Sequence, residues 1–308
     1  MPNNKYRLTI FDSVLVVLVI GIAFWYTQKI DNKQTGKSAD TGAQQEEPKG
    51  QMPPEPDRQQ NPSKQAFVDA FNGTATIKEG AQRELYSKDW WLNSGAYFYI
   101  KNGTGQTVFG SLGENDPRRV SYHNSNPAET DDGYHPQNIF RLVTRSRWNN
   151  LSQQADFKIS KYILSNDSHR AESNGLFLFN RYYDGDNVYY TGLRVDGYAV
   201  IKKKIGGTYY TMALQQILPG SYDRGRNPSL LPINQWISIK SEVTDLKNGT
   251  VSIKFYVDIG KTGKWTLAAE AEDDGRSFGG RQILGSGYAG IRTDFMDVSI
   301  DNYRIEEQ

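Results

Sequence analysis

The 308 residues hold 36 Lys/Arg against 35 Asp/Glu, a formal charge of +1, so no global field draws the chain to nucleic acid or to an anionic surface. Cysteine is absent, which excludes a disulfide scaffold, a thiol nucleophile and any cysteine-ligated metal. The three histidines, His123, His135 and His169, stand at no spacing typical of zinc ligands, which narrows the catalytic repertoire further.

In chain order, residues 1–7 read as a short cytoplasmic tail whose Lys5 and Arg7 precede an apolar run, "LTIFDSVLVVLVIGIAFWY", residues 8–26. That run approaches the ~20 residues a helix needs to cross the hydrocarbon. Phe24, Trp25 and Tyr26 close it as an interfacial belt, and Asp12 lies near one end. The sequence after it offers no A-x-A-like cleavage site, so the run is expected to be an uncleaved signal anchor in a lipid bilayer. Residues 27–65 contain no aromatic residue, and Ile30 and Met52 are their only large apolar ones. Their Gln, Pro, Glu and Lys content cannot bury enough surface to fold, so they are expected to be a disordered linker. As a flexible coil such a linker reaches ~35 Å root-mean-square.

Composition changes at "FVDAFNG", residues 67–73, and residues 66–308 are expected to form one folded domain. Residues 1–65 hold eight Lys/Arg and seven Asp/Glu, which leaves 28 of each in that domain. Helical periodicity is nearly absent. Strands are expected at Ala96–Lys101, Thr107–Leu112, Phe140–Thr144, Ala155–Leu164, Leu176–Tyr183, Val188–Val195, Tyr198–Ile205 and Tyr209–Leu214. After a proline-flanked loop come Trp236–Val243, Val251–Val257, Thr266–Glu272, Gly287–Thr293 and Val298–Glu306. Short strands of this kind predict an all-β antiparallel sandwich.

"YYTGLRVDGYAVIKKKIGGTYYTM", residues 189–212, carries three lysines between two tyrosine pairs. Asp196-Gly197 suits a two-residue hairpin, which pairs Val195 with Tyr198 and Tyr190 with Lys203. Alternation then places Tyr190, Arg194 and Lys203 on one face, and Gly206-Gly207 makes the next turn. The adjacent tryptophans Trp90 and Trp91 cannot both point inward from a strand, so one faces a loop or groove.

"FRLVTRSRW", the tyrosine and lysine hairpin, "WISIKSEV" and "YAGIRTDFMDVSIDNYRI" resemble the concanavalin A-like lectin/glucanase superfamily, in its laminin-G-like and family-16-like jelly-roll forms. The resemblance spans residues 66–308 and implies two curved antiparallel sheets, one with a face that holds glycans. Family-16 relatives carry an E-x-D-x-E or E-x-D-x-x-E strand supplying two carboxyl groups ~5 Å apart. The nearest string here, "EAEDDG" at 270–275, lacks that pattern and reads as a strand end entering a turn. The resemblance also implies one structural calcium, with Asp301 in "SIDNYRI" and Asp69 as ligands, although calcium takes six to eight oxygens.

The glycan-binding candidates are Tyr190, Arg194, Lys203, Trp91, Tyr183, Asp184 and Arg292, aromatic rings and planar or charged groups suited to sugars. "NRYYDGDN", residues 180–187, reads either as a groove rim or as an ordinary turn. A non-catalytic, membrane-tethered, extracytoplasmic carbohydrate-recognition or adhesion module is expected, with a polysaccharide as partner and no nucleic acid. The alternatives are a polysaccharide-active enzyme, such as a lyase using Tyr190, Arg194, Lys203 and His169, and a structural surface domain that binds a protein.

Overall fold

The computed structural model describes residues 65–308. The expected tail and anchor, and the linker up to residue 64, lie outside the described residues. Among the described residues no helix is long and apolar enough to cross a membrane.

Five short strands come first: β1 (Ala66–Asp69), β2 (Ala75–Lys78), β3 (Trp90–Ser94), β4 (Tyr97–Lys101) and β5 (Thr104–Gln106). A helix, α1 (Pro117–Ser125), and a 3-10 turn at Pro136–Ile139 follow. The long strands are β6 (Phe140–Trp148), β7 (Leu151–Tyr162), β8 (Gly175–Asp184), β9 (Asn187–Arg194), β10 (Tyr198–Ile205) and β11 (Thr208–Gln216). β12 (Trp236–Asp245), β13 (Val251–Ile259), β14 (Thr266–Asp273), β15 (Gly287–Thr293) and β16 (Met296–Glu307) complete the chain.

The strands form two antiparallel sheets. One has nine strands in the order β14-β13-β12-β7-β16-β5-β4-β2, with β1 also on β16; the other has seven, β11-β10-β9-β8-β15-β6-β3. Alternation drives the stacking. Ile237, Ile239, Ile253, Phe255, Val298 and Ile300 of the larger sheet share one fully buried core with Leu142, Leu178, Leu193, Ile201 and Ile291 of the smaller. The expected all-β antiparallel sandwich is the observed architecture.

Local departures have identifiable causes. α1 escapes the periodicity test because its buried side is a single residue, Tyr122, yet its start is written in "NDP". Asp116 Oδ1 accepts from Arg118 N–H at 2.8 Å, with Pro117 behind it in the first turn. The strand expected at 107–112 is found instead at Thr104–Gln106, where Gly105 sits under Phe98, whose ring would lie 2.1 Å from a β-carbon there.

The Asp196-Gly197 hairpin is one residue longer than expected. Gly197 N–H donates to Arg194 O at 3.0 Å and Gly197 has φ +82°, a type I turn closed by a left-handed glycine. Leu193 therefore pairs with Ala199 and Tyr190 with Lys202, not Lys203. A one-residue slip inverts every side chain, so Lys203 turns into the core. Gly206-Gly207 does form the next, two-residue turn, between Ile205 and Thr208. A β-carbon on Gly197 would lie 2.6 Å from Leu218 O. Gly197→Ala is accordingly expected to lower stability by ~1–3 kcal/mol, read as a shift in the urea midpoint at constant slope.

Candidate functional site

The side of the seven-stranded sheet that faces away from the core is built in rows. Across the strands run Trp91, Val143, Gly290, Phe179, Tyr190 and Lys202, each opposite the next. The next row along the strands holds Ser94, Arg141, Arg292, Phe177, Gly192, Val200 and Leu214, with one extra residue in β3 before Ser94. On the other side Arg147, Tyr288 and Tyr182 align, and Val188, Lys204 and Tyr209 continue that edge. No acidic side chain stands in these rows.

The aromatic members form a continuous floor. Trp91 lies 6.4 Å from Tyr182, Tyr182 stacks on Phe179 at 5.5 Å, Phe179 meets Tyr190 edge-on at 5.2 Å, and Tyr190 meets Tyr209 at 5.9 Å. Gly192 lets Phe177 cross the sheet, since a β-carbon there would meet that ring at 2.2 Å. Cations lie on the floor. The Arg292 guanidinium is 5.6 Å from the Tyr190 ring and 5.9 Å from Phe177. Arg147 is 5.3 Å from both Tyr288 and Tyr183, and the Lys204 ammonium is 4.8 Å from Tyr209. Lys202 reaches the same ring at 5.7 Å. Such contacts hold charged heads level over rings without neutralising them. The nearest counter-charges are at the margins: Asp294 on Arg292 Nε at 2.7 Å and Asp186 on Lys204 at 3.6 Å.

Of the residues expected from the sequence, Trp91, Tyr190 and Arg292 share this face. Trp91 and Tyr190 are each only 5% exposed, so their rings are floor and not contact surface. Trp91 also gives its Nε1 to Gly80 O at 2.7 Å, while Trp90 packs in the core. Arg194 lies at the end of β9 with its guanidinium forked onto Asp196, at 3.1 and 2.6 Å. Burial lifts the Asp196 pKa above its ordinary value against the pull of Arg194. Lys203 is wholly buried against Asp273. Tyr183 turns to the core side and donates to Leu284 O at 2.7 Å, and burial raises its pKa against the neighbouring Arg147. Asp184 holds a tight turn, accepting from Asp186 N–H at 2.8 Å and Asn187 Nδ2 at 2.9 Å. Residues 180–187 are therefore the closing end of the β8–β9 hairpin. His169 engages Asp167 at 2.7 Å, ahead of β8.

Asp69 spends its carboxylate on Phe71 N–H at 2.7 Å and Trp90 Nε1 at 2.8 Å. Asp301 accepts from Asn302 N–H at 2.7 Å. Burial raises the Asp301 pKa, while that hydrogen bond and the positive charge of Lys261 pull it down. Lys261 in turn contacts the neighbouring Asp156 at 2.8 Å. The ammonium thus supplies the positive charge beside this acid pair, and among the described residues no three His, Asp or Glu side chains converge on a metal position.

Arg141, Arg147, Lys202, Lys204, Tyr209 and Tyr288 are not among the glycan-binding candidates the sequence offers, although its alternation does put Lys202 and Lys204 on one face apart from Lys203. The arginine signal was present as alternate positions in "FRLVTRSRW", where Arg141, Arg145 and Arg147 share parity on one strand.

No protein-family model matches the sequence, and no curated protein matches it. Among solved structures, a carbohydrate-binding module, CBM66, from Bacillus subtilis is 11% identical, with a TM-score of 0.42 over 70% of this chain and 94% of that one. A glycosyl hydrolase family 16 protein from Mycobacterium smegmatis is 10% identical, with a TM-score of 0.42 over 78% and 98%. A GH43 protein from Bacillus licheniformis is 13% identical, with a TM-score of 0.40; this chain spans 39% of its length. The likeness is one of fold.

Proposed function

We propose that this chain is a carbohydrate-recognition module that binds an acidic glycan, uronate-bearing or sulfated, across the outer face of its seven-stranded sheet. In this reading residues 8–26 tether it at an extracytoplasmic membrane surface. The observation that carries the proposal is the row chemistry: Arg141, Arg147, Arg292, Lys202 and Lys204 share one face whose rows hold no acid. Guanidinium groups recognise planar anions by paired hydrogen bonds, and the rings beneath keep them in place, which limits the entropy lost on binding. The half-buried Tyr209 and Tyr288 retain ring surface for a sugar face. Glycosidic hydrolysis by two carboxyl groups finds no such pair on this face, which favours recognition over turnover.

A glycan-binding screen of the full-length chain in nonionic detergent tests this, with and without calcium. Retention of acidic polysaccharides, weakening as salt rises, is expected, with neutral glucans passing through. Arg292→Ala and Arg147→Ala should each weaken binding about 10-fold, the worth of one charge-assisted contact. Equal binding of neutral glucans, or affinity untouched by both substitutions in folded protein, would overturn it. Equal retention of single-stranded DNA would reduce the face to a general polyanion surface.

A further inference from the structure

Ser111 and the i,i+4 pair Asp131 and His135, all absent from the face described above, meet in the loops around α1. Ser111 Oγ lies 2.9 Å from His135 Nε2, and His135 Nδ1 lies 2.8 Å from Asp131 Oδ2. We propose that Ser111, His135 and Asp131 form a nucleophile, base and orienting acid that hydrolyse a carboxylic ester on an accessible substrate. The inference is independent of glycan binding by the sheet.

The order of the contacts assigns the roles. A carboxylate can only accept, so Nδ1 carries the proton toward Asp131 and Nε2 presents its lone pair to the Ser111 hydroxyl. Asp131 is itself fixed: Asn138 Nδ2 donates to the same oxygen at 3.2 Å, and Ser165 Oγ donates to the other at 2.5 Å. His135 is held from both sides, its N–H on Thr130 O at 2.9 Å and its O accepting from Asn138 N–H at 3.0 Å. Leu112 N–H donates to Tyr134 O at 2.8 Å, which fastens the chain next to Ser111 to the chain next to His135. The base and acid are about a quarter exposed, 24% and 29%, while Ser111 is at the surface. A substrate reaches the hydroxyl without any rearrangement.

The backbone that delivers Asp131 is costly. Asp131 and Asp132 have φ of +48° and +57°, and Gly133 follows at +83°. Left-handed non-glycine residues are strained, and such positions gather at functional sites. Gly133 makes the run possible, because a β-carbon there would lie 2.1 Å from Arg119 O of α1.

In the reaction Ser111 Oγ adds to the ester carbonyl carbon as its proton passes to His135 Nε2. The tetrahedral intermediate collapses with loss of the alcohol, which leaves with that proton, and the acyl group stays on Ser111. Water then adds to the acyl carbon, giving a proton to Nε2; the serine oxygen leaves and recovers it, releasing the carboxylic acid. The Ser111 backbone N–H, on the same residue as the attacking oxygen, is the donor this proposal assigns to the developing oxyanion.

A fluorophosphonate probe on the full-length chain, followed by peptide mapping, tests the assignment. Labelling on Ser111 is expected, with none in Ser111→Ala and at least 100-fold slower labelling in His135→Gln and Asp131→Asn. Ser125→Ala, on the exposed side of α1, should label at the parent rate. p-Nitrophenyl acetate turnover should fall in the same three variants. Labelling that persists in Ser111→Ala, or a folded parent chain that takes no label at all, overturns the proposal; the near-UV circular dichroism of each variant establishes that it is folded.

Discussion

Asp273→Ala is expected to destabilise the sandwich by about 3–5 kcal/mol, measured as a lowered urea midpoint. Asp273 projects from the end of β14 in the larger sheet and Lys203 from β10 in the smaller, both wholly buried, with Lys203 Nζ 2.9 Å from the carboxylate. Tyr189 from β9 gives its hydroxyl to the same carboxylate at 2.6 Å and receives Ile283 N–H at 2.9 Å. Burial and the neighbouring carboxylate push the Tyr189 pKa far up, so the phenol stays protonated and donates. Removing Asp273 leaves an ammonium in the core with Gly280 O, at 3.1 Å, and the face of the Tyr210 ring, at 5.9 Å, but no counter-charge against it. The loss comes mainly from that stranded charge, not from the value of the pair itself. The double variant Asp273→Leu with Lys203→Met should therefore recover much of the stability. A double variant as unstable as Asp273→Ala would show that shape, and not charge, is what the site requires.

This ion pair also marks where sequence reasoning stops. Lys203 reads as a wet-face lysine because Asp196-Gly197 predicts a two-residue hairpin, and the three-residue turn at Val195–Gly197 reverses its face. The difference between the two turns is one residue with the same Asp-Gly signature, so local chemistry alone does not decide it. What selects the longer turn is tertiary. Val195 N–H donates to Asn174 O at 2.8 Å, and Val195 O receives Leu230 N–H at 2.6 Å. Strand class and the Gly206-Gly207 turn were legible because period-two patterning and paired glycines act locally. The outer-face cations were half legible: alternate arginines in 141–147 were visible, but their alignment with Lys202 and Tyr288 depends on three bulged registers. Ser111, His135 and Asp131 were not legible at all, since nothing in their spacing foretells a left-handed run at 131–133.

Arg181→Met is expected to cost about 3–5 kcal/mol as well, and to weaken acidic-glycan binding at a distance. Arg181 is 0% exposed and has φ +51°, an extra residue in β8 where Tyr288 pairs with Tyr182 and Gly290 with Phe179. Without the bulge, strict alternation after Phe179 would turn Arg181 outward and Tyr182 into the core. With it, Arg181 goes in, Tyr182 joins the aromatic floor and Tyr183 faces the core. The guanidinium holds the bulge shut: Nη1 reaches Asp245 Oδ1 at 2.6 Å and Ile283 O at 2.8 Å, and Nε reaches Asn149 O at 3.2 Å. Gly287 is required opposite, because a β-carbon there would lie 2.5 Å from the Arg181 carbonyl carbon. Methionine fills the volume but leaves Asp245 and two carbonyls unpaired. Arg181→Lys should recover only part of the stability, since three donors on a single nitrogen cannot reach four acceptors spread around a planar fork. If the bulge positions Tyr182 and, through it, the Trp91 and Phe179 rings beneath the cations, glycan affinity should fall in Arg181→Lys even at temperatures where the protein is folded. Unchanged affinity in that variant would separate the stability of the bulge from the geometry of the face.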